Sequence, residues 1–322
     1  MLGMPAPQEH AAARRRRLRR AAAGLAAIQS GLVSRRQLKG LGVSRWQVRA
    51  EIRAGRWRSH GRHTVAVHTA DLSGEALWWW AVFETGGGAA LAGPTALEAA
   101  GLRGYDDRVH VVVRKSQRHH RPRGVVVHET RRLLDGDVLD SGIPRLRPEV
   151  AAVLGALWAR SDRQAALLMV MAVSQRLTTV DRLADVLTRV RRDKRRRLLL
   201  AIVLDIADGV RSMGELDFAR LCRRYGLPEP NRQVVRRGPR GRIYLDVHWD
   251  RWGLVVEIEG IHHEAPENAV PDALRQNSVS ITTGTVLRIP VLGLRTEGDA
   301  LMGQVAEALR RAGCPLRPRA AA

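Results

Sequence analysis

Hydrophobic and polar positions alternate most sharply near the C-terminus, in IYLDVHWDRWGLVVEIEG, residues 243–260. Aliphatic, aromatic and β-branched residues alternate with polar ones on both sides of a turn at 250–253, which predicts strands over 242–249 and 254–259. Successive side chains leave a strand on opposite faces. Tyr244, Asp246 and His248 therefore share one face of the first strand, and Ile243, Leu245 and Val247 the other. In the second strand Val255, Glu257 and Glu259 share a face, opposite Leu254, Val256 and Ile258. Pairing of the two would gather three carboxylates at one end of a small sheet. Acids in so apolar a setting are costly to desolvate without a compensating cation or hydrogen bonds. An oxygen-lined divalent metal site fits that need, and a solvated face paired with arginines is the competing expectation.

The helical period appears elsewhere. A helix over 21–30 is ended by Gly31. Ser34 caps a helix over 35–41, Gly42-Val43 turn the chain, and Ser44 caps a second helix over 45–54. Two short capped helices around a glycine turn form a helix-turn-helix, and residues 57–59 and 64–68 flank a Gly61-Arg62 turn as a β-wing would. Trp46 and Val48 are expected to pack inward. A helix over 75–84 carries Trp78, Trp79 and Trp80, which point different ways around its axis and read as core. Strands at 109–113 and 124–128 flank a basic loop, 114–123, whose His119-His120 pair reads as exposed. Helices follow over 150–158, 163–175, 180–190 and 194–206, with Thr178 or Thr179 capping the third. The stretch 189–197 is densely basic and is expected to face DNA or solvent. A strand over 233–236 precedes the acidic pair of strands. A helix opening at Pro271 and running to 281, a strand over 286–289 and a helix over 298–312 follow it.

The chain thus reads as α/β of the α+β multidomain kind. Its expected divisions are a basic disordered tail (1–20), a winged helix-turn-helix (21–68), a small α/β unit (69–145), a helical connector (146–211) and a C-terminal mixed sheet flanked by helices (212–314).

Composition sharpens the functional side. The 322 residues are 45% hydrophobic, enough for folded cores, and carry a formal charge of +22. Such an excess attracts polyanions, nucleic acid first, and double-stranded DNA is the expected partner. No apolar run of about 18 residues is present to span a bilayer. No apolar segment follows the N-terminal arginines as in a secretory signal, so a cytoplasmic location without membrane association is expected. Cys222 and Cys314 make neither a disulfide framework nor a zinc cluster. Gly86-Gly87-Gly88 lacks the Lys-Ser/Thr ending of a phosphate-binding loop. In the helix-turn-helix, Arg45, Gln47 and Arg49 are the candidates for reaching bases or phosphates, with Arg56, Arg58 and Arg62 on the wing.

Two resemblances add to this reading. Residues 21–68 resemble the winged-helix domain at the N-terminus of abortive-infection type IV antitoxins. Asp246 followed by Glu257-Ile258-Glu259 resembles the D…(D/E)-x-K core of the restriction-endonuclease-like nucleases. The wider pattern is similar to very-short-patch-repair-like endonuclease domains. It comprises Ser212-Met213-Gly214-Glu215, the turn Gly226-Leu227-Pro228-Glu229-Pro230, Gln233, Gly260, His263, Asp272, Arg275 and Gly284-Thr285-Val286-Leu287-Arg288. The likeness covers about residues 212–312. It implies a metal-dependent DNA endonuclease in which Asp246 and Glu257 hold Mg²⁺ or Mn²⁺, Glu259 and Glu215 assist, and His263 orients or deprotonates water. Arg275 and Arg288 would face the scissile phosphate. One departure stands out: Glu259 occupies the usual lysine position, and no lysine follows Lys194. The alternative is a non-catalytic winged-helix regulator or antitoxin with a degenerate nuclease-like domain. A cognate toxin or a homodimer is the open protein partner. Glu215 has a second reading, a capping box with Ser212.

Overall fold

The computed structural model describes residues 11–316 except 106, 209–214, 238–242, 261–265 and 284–285. The fold is mixed α and β, an α+β multidomain arrangement with three sheets among the described residues. The chain divides into two compact units, Met1–Ala99 with Asp106–Arg147, and Ala100–Tyr105 with Pro148–Ala322.

In the first unit, α1 (Ala11–Ala27) precedes β1 (Leu32–Ser34), α2 (Arg35–Gly40), α3 (Arg45–Arg53), β2 (Arg58–Ser59) and β3 (Thr64–Ala66). Residues 11–20, expected as a solvated tail, are the first half of α1, while residues 1–10 lie outside the described ones. The reason is the spacing of Leu18, Ala22 and Ala26, one turn apart and all buried, with Arg14 to Arg17 left in solvent. These three residues join Val33, Leu38, Val43, Val48, Trp57 and Val65 in one core. Both α2 and α3 begin with a reciprocal cap: Ser34 with Gln37, and Ser44 with Gln47. The strands form a sheet in the order β1-β3-β2, all antiparallel. Val33 pairs with Val65 and faces the helices, while Leu32 pairs with Ala66 on the other face.

That second face packs on α4 (Glu75–Thr85) through Ala76 and Trp79. Trp79 is the buried member of the tryptophan run, and Trp78 and Trp80 are half-buried. β4 (Ala90–Leu91), α5 (Gly93–Glu98), β5 (Val109–Arg114), β6 (Val125–Thr130), β7 (Val138–Leu139) and β8 (Arg145–Leu146) complete the unit. The strands build a five-stranded sheet, β6-β5-β4-β8-β7, with β5 and β6 parallel.

The second unit opens with α6 (Pro148–Trp158), α7 (Asp162–Ser174), α8 (Val180–Thr188) and α9 (Arg196–Asp208). Thr179 caps α8 by accepting from the Arg182 amide. The basic stretch 189–197 is not wholly solvated. Arg195 is buried, donating to Asp162 at 2.9 Å and to the Leu157 carbonyl at 3.2 Å, because those groups compensate its charge.

Then come α10 (Glu215–Arg224), β9 (Arg232–Arg237), β10 (Ile243–Trp249), β11 (Leu254–Glu259), α11 (Pro266–Thr283), β12 (Val286–Pro290), α12 (Val291–Thr296) and α13 (Gly298–Arg311). β9, β10 and β11 are an antiparallel meander, and β12 returns parallel to β11 after α11. A single 3₁₀ turn, ended by Gly253 at φ +59°, joins β10 to β11. α11 starts before Pro271, which sits inside it, so Pro266 rather than Pro271 takes the first-turn position. Leu245, Val247, Trp249, Leu254, Val256 and Ile258 cover one sheet face and pack with Phe218 of α10 and Leu301, Met302 and Val305 of α13. α12 is tied to α9 by Arg295, which meets the fully buried Asp205 carboxylate with two hydrogen bonds, 3.0 and 3.1 Å.

Candidate functional site

The acidic site follows from the register of β10 and β11. Asp246 stands opposite Glu257, and residue 244 opposite Glu259. Directly opposed residues of an antiparallel pair project to one face with Cβ atoms about 5 Å apart. Asp246 and Glu257 are thus neighbours on the face away from the apolar core. Asp246 is only 4% exposed. The side chains of Glu257 and Glu259 keep 21% and 17% of their exposure.

β12 adds a cation. Arg288 is level with Glu257 in the parallel pairing. Its Nε lies 3.3 Å from a Glu257 oxygen and 3.9 Å from a Glu259 oxygen. Two carboxylates on one strand face repel, and the guanidinium between them offsets part of that repulsion. The side chain of Asn277 on α11 holds Arg288 in place. It donates to the Arg288 carbonyl and accepts from its amide, both at 2.8 Å.

Among the described residues no group of three or more His, Cys, Asp or Glu side chains could hold a metal ion. A Mg²⁺ ion does not require three: it keeps several waters and is usually bound by one or two carboxylates together with phosphate oxygens. Asp246 and Glu257 offer that two-carboxylate set. Of the other expected participants, His263 and residues 212–214 lie outside the described residues. Glu215 begins α10, and Gln233 lies within β9. Gly284 and Thr285, expected to lead into the returning strand, are also outside the described residues. Arg275 is exposed and pairs with Asp272 one turn before it on α11.

The basic candidates surround α3. Trp46, expected to pack inward, is 61% exposed, because Val48 alone takes the inward position. The guanidiniums of Arg45 and Arg49 lie over its ring, at 4.9 and 5.0 Å from the ring centre. Gln47 is turned to the helix start, where its Oε1 accepts from the Ser44 amide at 2.7 Å. Arg56 pairs with Glu51 at 2.6 Å, and Arg19 meets the same carboxylate at 2.9 Å. The Arg56 guanidinium, more than Arg19, holds the Glu51 carboxyl below its usual range. Arg58 donates to Asp71 at 2.7 Å and to the Thr69 carbonyl, whereas the Arg62 side chain is exposed.

The wing turn rests on a residue with no pattern signal of its own. Glu84, buried in α4, accepts from the Arg62 and His63 amides at 2.9 and 2.7 Å and from the Thr64 hydroxyl at 2.7 Å. Gly61 is required here: its φ is +105°, and a Cβ would meet the Glu84 carboxylate at 2.6 Å.

No protein-family model matches this chain, and no curated protein matches it. Among solved structures, the chain aligns with that of the RV2827C protein from Mycobacterium tuberculosis at 20% identity, over 62% of this chain and 80% of that one, with a TM-score of 0.37. No described helix is long and apolar enough to cross a membrane.

Proposed function

We propose that this is a double-stranded-DNA-binding protein whose C-terminal mixed sheet is a metal-dependent endonuclease acting on phosphodiester bonds. The observation carrying this reading is the register that sets Asp246 opposite Glu257 on one sheet face. The mixed sheet flanked by helices supports the likeness to very-short-patch-repair-like domains. Mg²⁺ or Mn²⁺ would be held by Asp246 and Glu257 and, when bound, would activate water and stabilise charge on phosphate oxygens. In this reading Glu259, Glu215 and His263 assist, and the exposed arginines of α3 and the wing bind the duplex. A cytoplasmic location belongs to the same reading.

The test uses supercoiled plasmid, purified full chain and Mg²⁺ or Mn²⁺. Wild type should nick the plasmid only with metal. Asp246→Ala and Glu257→Ala should each lower the rate by about two orders of magnitude, since even second-layer partners of a metal are worth about ten- to a hundredfold. No metal-dependent nicking, or nicking that survives both substitutions, refutes the endonuclease.

One observation favours a second reading, a winged-helix regulator or antitoxin with a non-catalytic C-terminal sheet. Arg288 already lies between Glu257 and Glu259, so a built-in cation partly balances the acids. That reading predicts duplex binding without cleavage, and a toxin or a second copy as partner.

A further inference from the structure

Trp46 is 61% exposed, so most of its indole is left uncovered by the apolar core. Trp46 is the second residue of α3, and Arg45 and Arg49 both lean on its indole. Guanidiniums stacked on an indole gain cation–π attraction while keeping their outer N–H donors available. A long arginine otherwise loses rotamer freedom when it engages a ligand, and stacking beforehand removes part of that cost. The first residues of such a helix are those that reach base edges in a major groove, where arginine matches the O6 and N7 acceptors of guanine. Gln47, between them, is occupied at the helix start.

We infer that Trp46 is a positioning residue that holds Arg45 and Arg49 as a preset pair of guanidinium forks for guanine in duplex DNA. The inference rests on the DNA-binding reading and adds the residue that sets its sequence preference. Trp46 acts through the arginines and makes no base contact of its own.

The experiment first selects duplexes from a random pool with the full wild-type chain, then measures Kd at one salt concentration for the selected and an unselected duplex. The selected pool should be enriched in guanine. Trp46→Ala should weaken the selected duplex roughly tenfold, the scale of one good arginine–guanine contact, and the unselected one little. Trp46→Phe, which keeps a ring face, should recover most of the loss. In an Arg45→Ala, Arg49→Ala background, adding Trp46→Ala should cost nothing further, because its effect runs through the missing side chains. Matching thermal melts keep the comparison free of folding effects, which the exposure of Trp46 favours.

The inference is overturned if Trp46→Ala leaves the preference intact, if the triple variant loses affinity beyond the double one, or if no guanine is enriched. A wild-type chain that binds no duplex DNA overturns the underlying reading as well, and so separates the two failures.

Discussion

The two candidate surfaces handle charge in opposite ways. Around α3 the cations stand outward: Arg45 and Arg49 lie over an exposed ring, and Arg62 reaches into solvent. On the β10–β11 face the carboxylates are drawn in, with Asp246 nearly inaccessible and Glu257 and Glu259 bridged by Arg288. Exposed cations lose little hydration on meeting a polyanion, so they suit long-range capture and a salt-dependent affinity. Half-buried acids respond to what comes within a few ångströms, and a small cation or a fixed guanidinium satisfies them. A net charge of +22 is a sum over the whole chain, and it hides a sheet face on which the acids, not the arginines, are drawn in.

The same contrast governs stability, and three measurements bear on it. The largest effect should come from Arg295→Ala, which removes a charged partner of the fully buried Asp205 carboxylate in the second unit. The expected loss is about 3 kcal/mol in denaturant unfolding, the low end for breaking a buried pair because Arg295 is partly exposed. A loss under about 1 kcal/mol would mean that the withdrawn charges behave like surface ones.

An acid shift should give the next effect. Burial first, and His110 second, push the His128 imidazole from its ordinary 6.5 down to about 4. The folded form therefore stays neutral where the unfolded chain takes up a proton. The contribution of His128 to stability is constant above about pH 6.5 and falls as the pH drops from there towards 4. Melting temperature should decline over that window in wild type and less steeply in His128→Phe. Equal slopes in the two would remove His128 from the account.

The smallest effect belongs to Arg58→Ala. Its pair with Asp71 is open to water on both sides, so the unfolding free energy should change by no more than about 1 kcal/mol, and under the proposed DNA binding the affinity for duplex should fall. Its salt slope should become shallower by about 0.9 if Arg58 neutralises one phosphate.

Much of the acidic face can be read from the chain because strand alternation and a single tight turn leave few registers open. The opposition of Asp246 and Glu257 follows once 250–253 turns the chain. The starts of α2 and α3 are legible through Ser34 and Ser44, whose partners are only three residues away. What escapes depends on partners distant in sequence or on masked periodicity. Arg195 is buried because Asp162 lies 33 residues earlier, and the arginine run at 14–17 hides the Leu18–Ala22–Ala26 stripe of α1. Hydrophobicity alone points Trp46 inward, yet Val48 fills that place. Glu84 gives no signal, since its three donors lie 20 to 22 residues earlier.

The grip of Asn277 on β12 reaches beyond the placing of one arginine. A strand at the margin of a sheet invites another chain to add alongside it. With both main-chain groups of residue 288 already taken by an amide from α11, that margin is stoppered at its middle residue. An assembly that extends this sheet from β12 must first prise the asparagine away.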